Sequence, residues 1–508
     1  MMETLAKANS LRQGQSSKIF MIEYFKRLSS QTLIYGLGDA IIKAIAILLI
    51  PLYTKVLTTD QVGDIALLNY TEMTLLLVLT LGLASAVFKF YHEGTTESER
   101  RRVFSTATIF SGAVSAILLA ILFGQAEFIS QLIFKSAQQA IYLKFIFGSV
   151  LFNLFRQFAL AYARAIERPI FYSFLNIVHF LLLVGLNLYY ILVLHQGVLG
   201  VVKSSLYSAI GVFMIAAITV FKPIGLAFSR PLLGKLLHFG LPMVPGAVAS
   251  FALTIADRYL LNWYGSADAV GRYDIVYKFG MIINMLLVTP FRTAWLPFIF
   301  SVQNKPEANK IYAGALTYFL LLGTLLFLIV SLFAREIILL FSTRAYLVGL
   351  PAVPLVALAY IFYGLFLVVD IGVLLKVKTF YYTVIYGLGA LINIGLNIIF
   401  IPRYGMMAAA VNTTIAYFIT LLSMCFVSQR LHFVPYEWQR ILKIVAIGSL
   451  LYLLGSWISF ESTLVALIVK FMLILCYPVL LYWFKFFRAT EIAGYKKIIL
   501  ETINRGRR

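Results

Sequence analysis

HFGLPMVPGAVASFALTIADRYLLNWYGSADAVGRYDIVYKFG (His238–Gly280) reads as two apolar arms folded about a short polar turn, and the tetrapeptide in that turn occurs twice. Asp268-Ala269-Val270-Gly271 echoes Asp60-Gln61-Val62-Gly63, and each copy stands between two long apolar stretches. Two more echoes keep the same offset of 208 to 210 residues: Gly185-Leu186-Asn187 with Gly395-Leu396-Asn397, and Gly197-Val198-Leu199-Gly200 with Gly405-Met406-Met407-Ala408. Three matches in one order at one spacing indicate a duplicated chain. In membrane proteins, duplicated bundles carry substrate at the interface of their halves.

Of the 508 residues, 61% are hydrophobic and 12% charged, with a mean hydropathy of +0.91, a balance that a soluble surface does not tolerate. A spanning helix needs roughly 20 mostly apolar residues. Fourteen stretches qualify: 31–54, 65–88, 103–123, 139–162, 170–194, 198–221, 235–262, 274–300, 312–333, 350–375, 379–401, 405–428, 440–459 and 463–485. Their length selects helix over barrel strand, so the expected fold is an all-α polytopic membrane protein. The echoes are offset by six spans, an even number, so both copies enter the membrane in the same orientation. That predicts a cytoplasmic N-terminal tail (1–30), an N-lobe of six spans (31–221) and a C-lobe of six (235–428). Two further helices (440–487) and a basic cytoplasmic tail (488–508) would follow, the lobes being related by a pseudo-two-fold along the membrane normal.

The net charge of +21 reads as topology rather than nucleic-acid binding. With the N-terminus inside, about 28 of the 42 Lys and Arg fall on the cytoplasmic side and about six on the outer side. This asymmetry puts both termini in the cytoplasm of a multi-pass cell (inner) membrane protein. No signal peptide is needed. Cys425 and Cys476 both lie in apolar spans, and the five histidines are scattered, so neither a disulfide framework nor a metal site is expected. No Gly-rich phosphate loop, no H-E-x-x-H and no loop large enough for a catalytic domain occurs, which argues against a pump, a protease or any other enzyme, and against a cofactor. A secondary transporter, a flippase, a channel or a non-transporting scaffold remains.

Ionisable groups inside spans cost at least ~2.5 to 3.5 kcal/mol each, so they mark partners or water. Lys144, Lys203 and Lys470 are close enough to helix ends to snorkel. Arg258 and Lys278 lie near the outer ends of spans seven and eight, where snorkelling and function are both open. Lys43 sits near the midplane of span one, with Asp39 one turn earlier as an i, i+4 partner that an anionic ligand can displace. Arg292 lies deep in span eight within PFRTAWLPFIF (Pro290–Phe300), between two helix-disturbing prolines. Counted at α-helical spacing, Lys278 and Arg292 share a face, which suggests a cationic track. The alternative is a kinked helix whose arginine reaches lipid phosphates. Arg156 with Asn153 and Gln157 forms a third polar patch. Against these eight cations stand Asp39, Glu72, Asp257 and Asp370, candidates for coupling or pairing. The excess of positive charge calls for an anionic ligand. Asn176, His179 and Asn187, and Tyr386, Asn393 and Asn397, form stripes suited to helix–helix hydrogen bonds.

The His238–Gly280 stretch resembles the polysaccharide-transporter branch of the multidrug, oligosaccharidyl-lipid and polysaccharide exporter superfamily. The resemblance rests on Gly240-Leu241-Pro242 and Pro245, Asp257-Arg258-Tyr259, Val270-Gly271 with Tyr273, Tyr277-Lys278, Ala294-Trp295 and Pro297-Phe298. It extends to span one with its outer turn and to Asn393–Tyr417. It implies a fourteen-helix, two-lobed flippase that works by alternating access. Its cargo would be an undecaprenyl-diphosphate-linked oligosaccharide, moved to the outer leaflet for surface polysaccharide such as O-antigen or exopolysaccharide. The implied partners are membrane lipid and the polyprenyl-diphosphate-linked glycan, with glycan polymerase machinery as a further candidate and no nucleic acid. Relatives hold the lipid diphosphate with cationic lumen residues. Depth singles out Lys43 and Arg292 for that role, followed by Lys278, Arg156 and Arg258. A cation-coupled drug exporter of the same superfamily and a glycan-assembly scaffold are the alternatives, the first predicting an acidic cavity and the second no need for midplane ions.

Overall fold

A computed structural model describes residues 49–457 and 463–488. Among these every regular element is helical. Twelve helices are long and apolar enough to cross a membrane. One of them, Phe380–Leu431, is 52 residues long and is broken at Gly405, whose φ of 55° and ψ of −134° lie outside the helical region. The expected first span, 31–54, falls mostly outside the described residues, so fourteen spans stand as the expectation and twelve as the observation.

The helices used below are α1 (Thr59–Leu79), α2 (Leu83–Glu93), α3 (Glu97–Gly124), α4 (Ala126–Phe134), α5 (Ala140–Ala165), α6 (Pro169–Leu188), α7 (Gly197–Ala216), α8 (Arg230–Gly240) and α9 (Val244–Tyr264). They continue as α10 (Ala267–Gly280), α11 (Thr289–Val302), α12 (Ala308–Leu332), α13 (Ala334–Phe341), α14 (Ala352–Val369), α15 (Phe380–Leu431), α16 (Trp438–Trp457) and α17 (Thr463–Trp483). Two compact units form. Residues 49–56 and 68–248 make the first, and 57–67, 249–457 and 463–488 the second.

Each sequence echo has a structural cause. Thr58 and Gln61 exchange hydrogen bonds in a capping box that opens α1, and 208 residues later Ser266 caps α10 by accepting from Ala269 N. Asp60 and Asp268 then lie in the first turns, where a carboxylate opposes the positive end of the helix dipole. Gly197 and Gly405 both have φ of 55°, a left-handed value that favours glycine over any side chain. Asn187 and Asn397 are both fully buried and hydrogen-bonded. The repeat also extends where the sequence shows no obvious match: α4 buries Ala126, Ser130 and Phe134, while Ala334, Ile338 and Ser342 are buried at the equivalent positions of α13 and its cap. Their opposite faces expose Phe128 and Leu132, and Leu339 and Leu340, as expected of helices lying along a lipid interface.

The two tetrapeptides also meet, within the second unit. The α carbon of Gly63 lies against the backbone of Ala267, and that of Gly271 against Thr59 and Gly63. Thr59 Oγ1 donates to Asp268, which also pairs with Arg272 at 2.9 Å. The crossing is reciprocal, glycine on each helix facing the first turn of the other. A side chain at either position would hold the backbones apart.

Candidate functional site

Lys43 and Asp39 lie outside the described residues. The other expected groups fall into one cluster in the first unit and, in the second, two clusters and an ion pair.

In the first unit, Glu72 points from α1 into the bundle and is nearly fully buried. Its carboxylate accepts from Ser149 Oγ and Asn153 Nδ2, both at 2.7 Å on α5, and from Ser205 Oγ at 3.1 Å on α7. Three donors satisfy an ion that would otherwise be prohibitive at this depth. Arg156, one turn along α5, does not touch Glu72. Asn153 stands between them, donating to Glu72 and accepting from Arg156 Nε at 2.9 Å. Arg156 Nη1 reaches Asn176 Oδ1 of α6 at 3.2 Å. The small serines at 149 and 205 let three helices converge on one acid, and Asn153 adds an interhelical hydrogen bond.

The second unit holds a deeper network. Asp257 and Arg258, consecutive on α9, are both fully buried and bonded at 2.6 Å. Asp257 Oδ2 also accepts from Tyr273 at 2.9 Å and Thr413 at 3.3 Å. Arg258 lies over the Tyr277 ring at 3.7 Å and donates to Thr254 O. The chain continues from Thr413 through Asn393, Asn397 and Asn412. α9, α10 and both halves of α15 are thereby tied by one polar string, the interhelical role expected for Asn393 and Asn397. Arg258, a candidate cation for the lipid diphosphate near the outer end of span seven, has its charge taken up by Asp257 and two aromatic faces. Consecutive residues of a helix point about 100° apart, so the contact of Asp257 with Arg258 was not legible from spacing.

Lys278 also has a partner, Asp274 at 2.8 Å, the i, i+4 acid one turn earlier on α10. That pair was readable in sequence. The shared face expected of Lys278 and Arg292 assumed an unbroken α-helix, but Asn284–Val288 forms a wide π turn that shifts the register between them. Arg292, on α11, is exposed and has no hydrogen-bond partner among the described residues, while Asp370, Tyr382 and Tyr386 lie within electrostatic range. Asp370 itself is buried, accepts from Tyr382 at 2.6 Å through Oδ2 and has no hydrogen-bond partner at Oδ1 among the described residues.

The three snorkelling candidates have local contacts. Lys470 pairs with Glu336 at 2.6 Å, tying α17 to α13. Lys203 donates to Gln196, and Lys144 faces Phe123. Three of the eight intramembrane cations, Arg258, Lys278 and Lys470, are therefore neutralised by acids, two of which (Asp274 and Glu336) the sequence balance had left out. The positive excess among the described residues contracts to four groups, Arg292, Arg156, Lys144 and Lys203.

Residues 28–303 match the family described as Polysaccharide biosynthesis protein. The chain belongs to that family. An uncharacterized membrane protein of Methanocaldococcus jannaschii is 27% identical over 205 residues, 38% of each chain, so the match spans well under half of that relative. Among solved structures, the lipid II flippase MurJ in an inward closed conformation superposes with a TM-score of 0.75 at 16% identity, covering 89% of this chain and 99% of that one. A MATE transporter in the straight conformation gives 0.60 at 13% identity, covering 83% and 97%. At these identities the likeness is one of fold: this family member shares the all-helical architecture of those two structures.

Proposed function

We propose that the protein is a flippase of the cell membrane, with both termini cytoplasmic. It would move a polyprenyl-diphosphate-linked oligosaccharide from the cytoplasmic to the outer leaflet for surface polysaccharide synthesis. Family membership supports the pathway, and the fold shared with a lipid flippase supports the reaction class. The observation that carries the reading is Arg292. A guanidinium about two-thirds of the way along the 36-residue α10–α11 segment, exposed and without a hydrogen-bond partner among the described residues, is costly in lipid and suited to an anionic head group. Lys43 and Arg156 are the further cations of the proposed cavity. Arg258 and Lys278 are held by Asp257 and Asp274.

In this mechanism the diphosphate enters the cationic cavity while the polyprenyl tail stays in lipid, and rocking of the lobes exposes the head outside. With the cell interior negative, moving about two negative charges outward gains up to ~4.6 kcal/mol per 100 mV. Asp39, Glu72 and Asp370 are the candidates for any coupling ion. A flipping or in-cell complementation assay of Lys43→Glu and Arg292→Glu tests the reading. Loss of transport at normal expression is expected, and full activity in both variants removes these residues from the mechanism.

A further inference from the structure

Between the membrane-crossing helix that ends at Ile224 and α8, the chain is extended rather than helical, and side chains of α3 hold it in place. Gly225, at φ 76°, turns the chain out of the preceding helix, a value that favours glycine. Ser105 Oγ donates to Gly225 O at 3.0 Å and accepts from Ala227 N at 2.8 Å. Thr106 Oγ1 donates to Ala227 O at 3.4 Å and accepts from Ser229 N at 3.1 Å. Two consecutive hydroxyls thus satisfy four backbone groups of residues 225–229. α8, which follows, is fixed in turn against α2, where Gly82 and Gly240 meet backbone to backbone. Alternate residues of an extended chain face opposite ways. Ala227 and Ser229 are half-buried, whereas Leu226 and Phe228 stand out at 91% and 52% exposure. This apolar pair lies between two spans, at the membrane border, with its backbone pinned from behind. Lys222, Arg230 and Lys235 surround it, exposed and without an ion-pair partner among the described residues. No Asp or Glu occurs in the sequence between Glu167 and Asp257. The acids at the start of α3 are engaged elsewhere, Glu97 by Arg101 and Glu99 by Thr95 and Thr96. Apolar side chains among unpaired cations match an anionic phospholipid surface, which presents acyl chains behind a layer of phosphate.

We propose that residues 222–235 form an anchor for anionic phospholipid in the leaflet they face, which is cytoplasmic in the proposed topology. Leu226 and Phe228 enter the acyl region while Lys222, Arg230 and Lys235 bind the head groups. The Ser105–Thr106 clamp joins the anchor to α3, so it fixes that end of the helix at the depth the leaflet sets. A protein could cover the same apolar pair, but the position at the membrane border and three cations without a local acid favour lipid phosphate. The inference does not depend on which cargo the protein moves.

The test uses the full chain as C425S/C476S, with L226C or F228C carrying a nitroxide spin label, in liposomes of phosphatidylcholine with a rising share of phosphatidylglycerol. Collision with oxygen, which dissolves in lipid, is compared with collision with the neutral complex nickel ethylenediaminediacetate, which stays in water. Both labels are expected to favour oxygen, and increasingly so as phosphatidylglycerol rises. Phosphatidylethanolamine in its place should produce no such increase. The phosphatidylglycerol fraction giving half of the change should rise about fivefold or more in K222Q/R230Q/K235Q, since one basic residue at an anionic surface is worth about that factor. S105A/T106A, which releases the strand from α3, should reduce the oxygen preference at both positions. Labels that favour the nickel complex at every lipid composition overturn the anchor and leave Leu226 and Phe228 to a protein partner. A depth that ignores phosphatidylglycerol, or that is parent-like in the triple variant, overturns the role of the cations. Unchanged depth in S105A/T106A overturns the clamp. The three cations are exposed, so the triple variant keeps the test usable should S105A/T106A fold poorly.

Discussion

Replacing Gly63 or Gly271 by alanine tests whether the repeated tetrapeptides mark a packing contact. A Cβ on Gly63 would stand 2.7 Å from the carbonyl carbon of Ala267, and one on Gly271 would stand 2.8 Å from Gly63 N, with the neighbouring carbonyl oxygens nearer still. Ordinary contact distance is about 3.5 to 4.0 Å, and the carbonyl oxygens are the nearest atoms, so the backbones must part by roughly 1.5 to 2 Å at the crossing. Neither neighbour is a flexible side chain, and overpacking of this kind costs ~1–3 kcal/mol. Both glycines belong to one crossing, so the separation forced by the first alanine accommodates part of the second. The double variant is then expected to lose less than the sum of the singles, with a coupling of the order of ~1 kcal/mol or more. Denaturation of the purified protein in detergent, run as a double-mutant cycle, measures this. Gly314→Ala serves as reference: it sits inside α12 with nothing within 4 Å, so the exchange should gain about 0.5–1 kcal/mol from helix propensity alone. If Gly63→Ala and Gly271→Ala also stabilise, or if their losses simply add, the reciprocal crossing is not the reason for the echo.

Asp257→Leu should cost about 3–5 kcal/mol, because it leaves Arg258 charged and buried with its main acceptor gone, and thermal unfolding reads the loss. Gly405→Ala meets no neighbour within 4 Å, so any loss is conformational; about 1–3 kcal/mol is expected from forcing a side chain to φ 55° and ψ −134°. Tyr346 lies between α13 and α14 with a buried hydroxyl that has no hydrogen-bond partner among the described residues, so Tyr346→Phe should leave stability unchanged or raise it. Burial, aided by Asp268, pushes that phenol up to about 12. The raised value holds the folded state protonated where the unfolded state ionises. Stability from this group is thus complete below pH 10 and declines between pH 10 and about 12, and the phenylalanine variant should decline less there in an alkaline unfolding titration.

Hydropathy alone gave the all-helical membrane class and the approximate place of the described spans, because twenty apolar residues with unsatisfied backbone groups have few alternatives in lipid. The duplication was legible as well, since a helix cap, a left-handed glycine and a glycine crossing each demand particular residue types and so persist as echoes. The partner of Lys278 was present in sequence at i, i+4, whereas that of Lys470, 134 residues away on α13, was not.

What only the tertiary structure decided is which charges are available. Arg258 and Arg292 look alike in sequence, each an arginine within an apolar span, yet one is buried against Asp257 and two tyrosines and the other is exposed. A π turn of five residues rotated Arg292 away from the face assigned by α-helical spacing. Glu72, Asn153 and Arg156 became one unit only when α1, α5 and α7 packed together. Hydropathy is a property of each segment and is written locally. The partner of a buried charge depends on which helix faces lie within about 3 Å of it, and packing sets those faces.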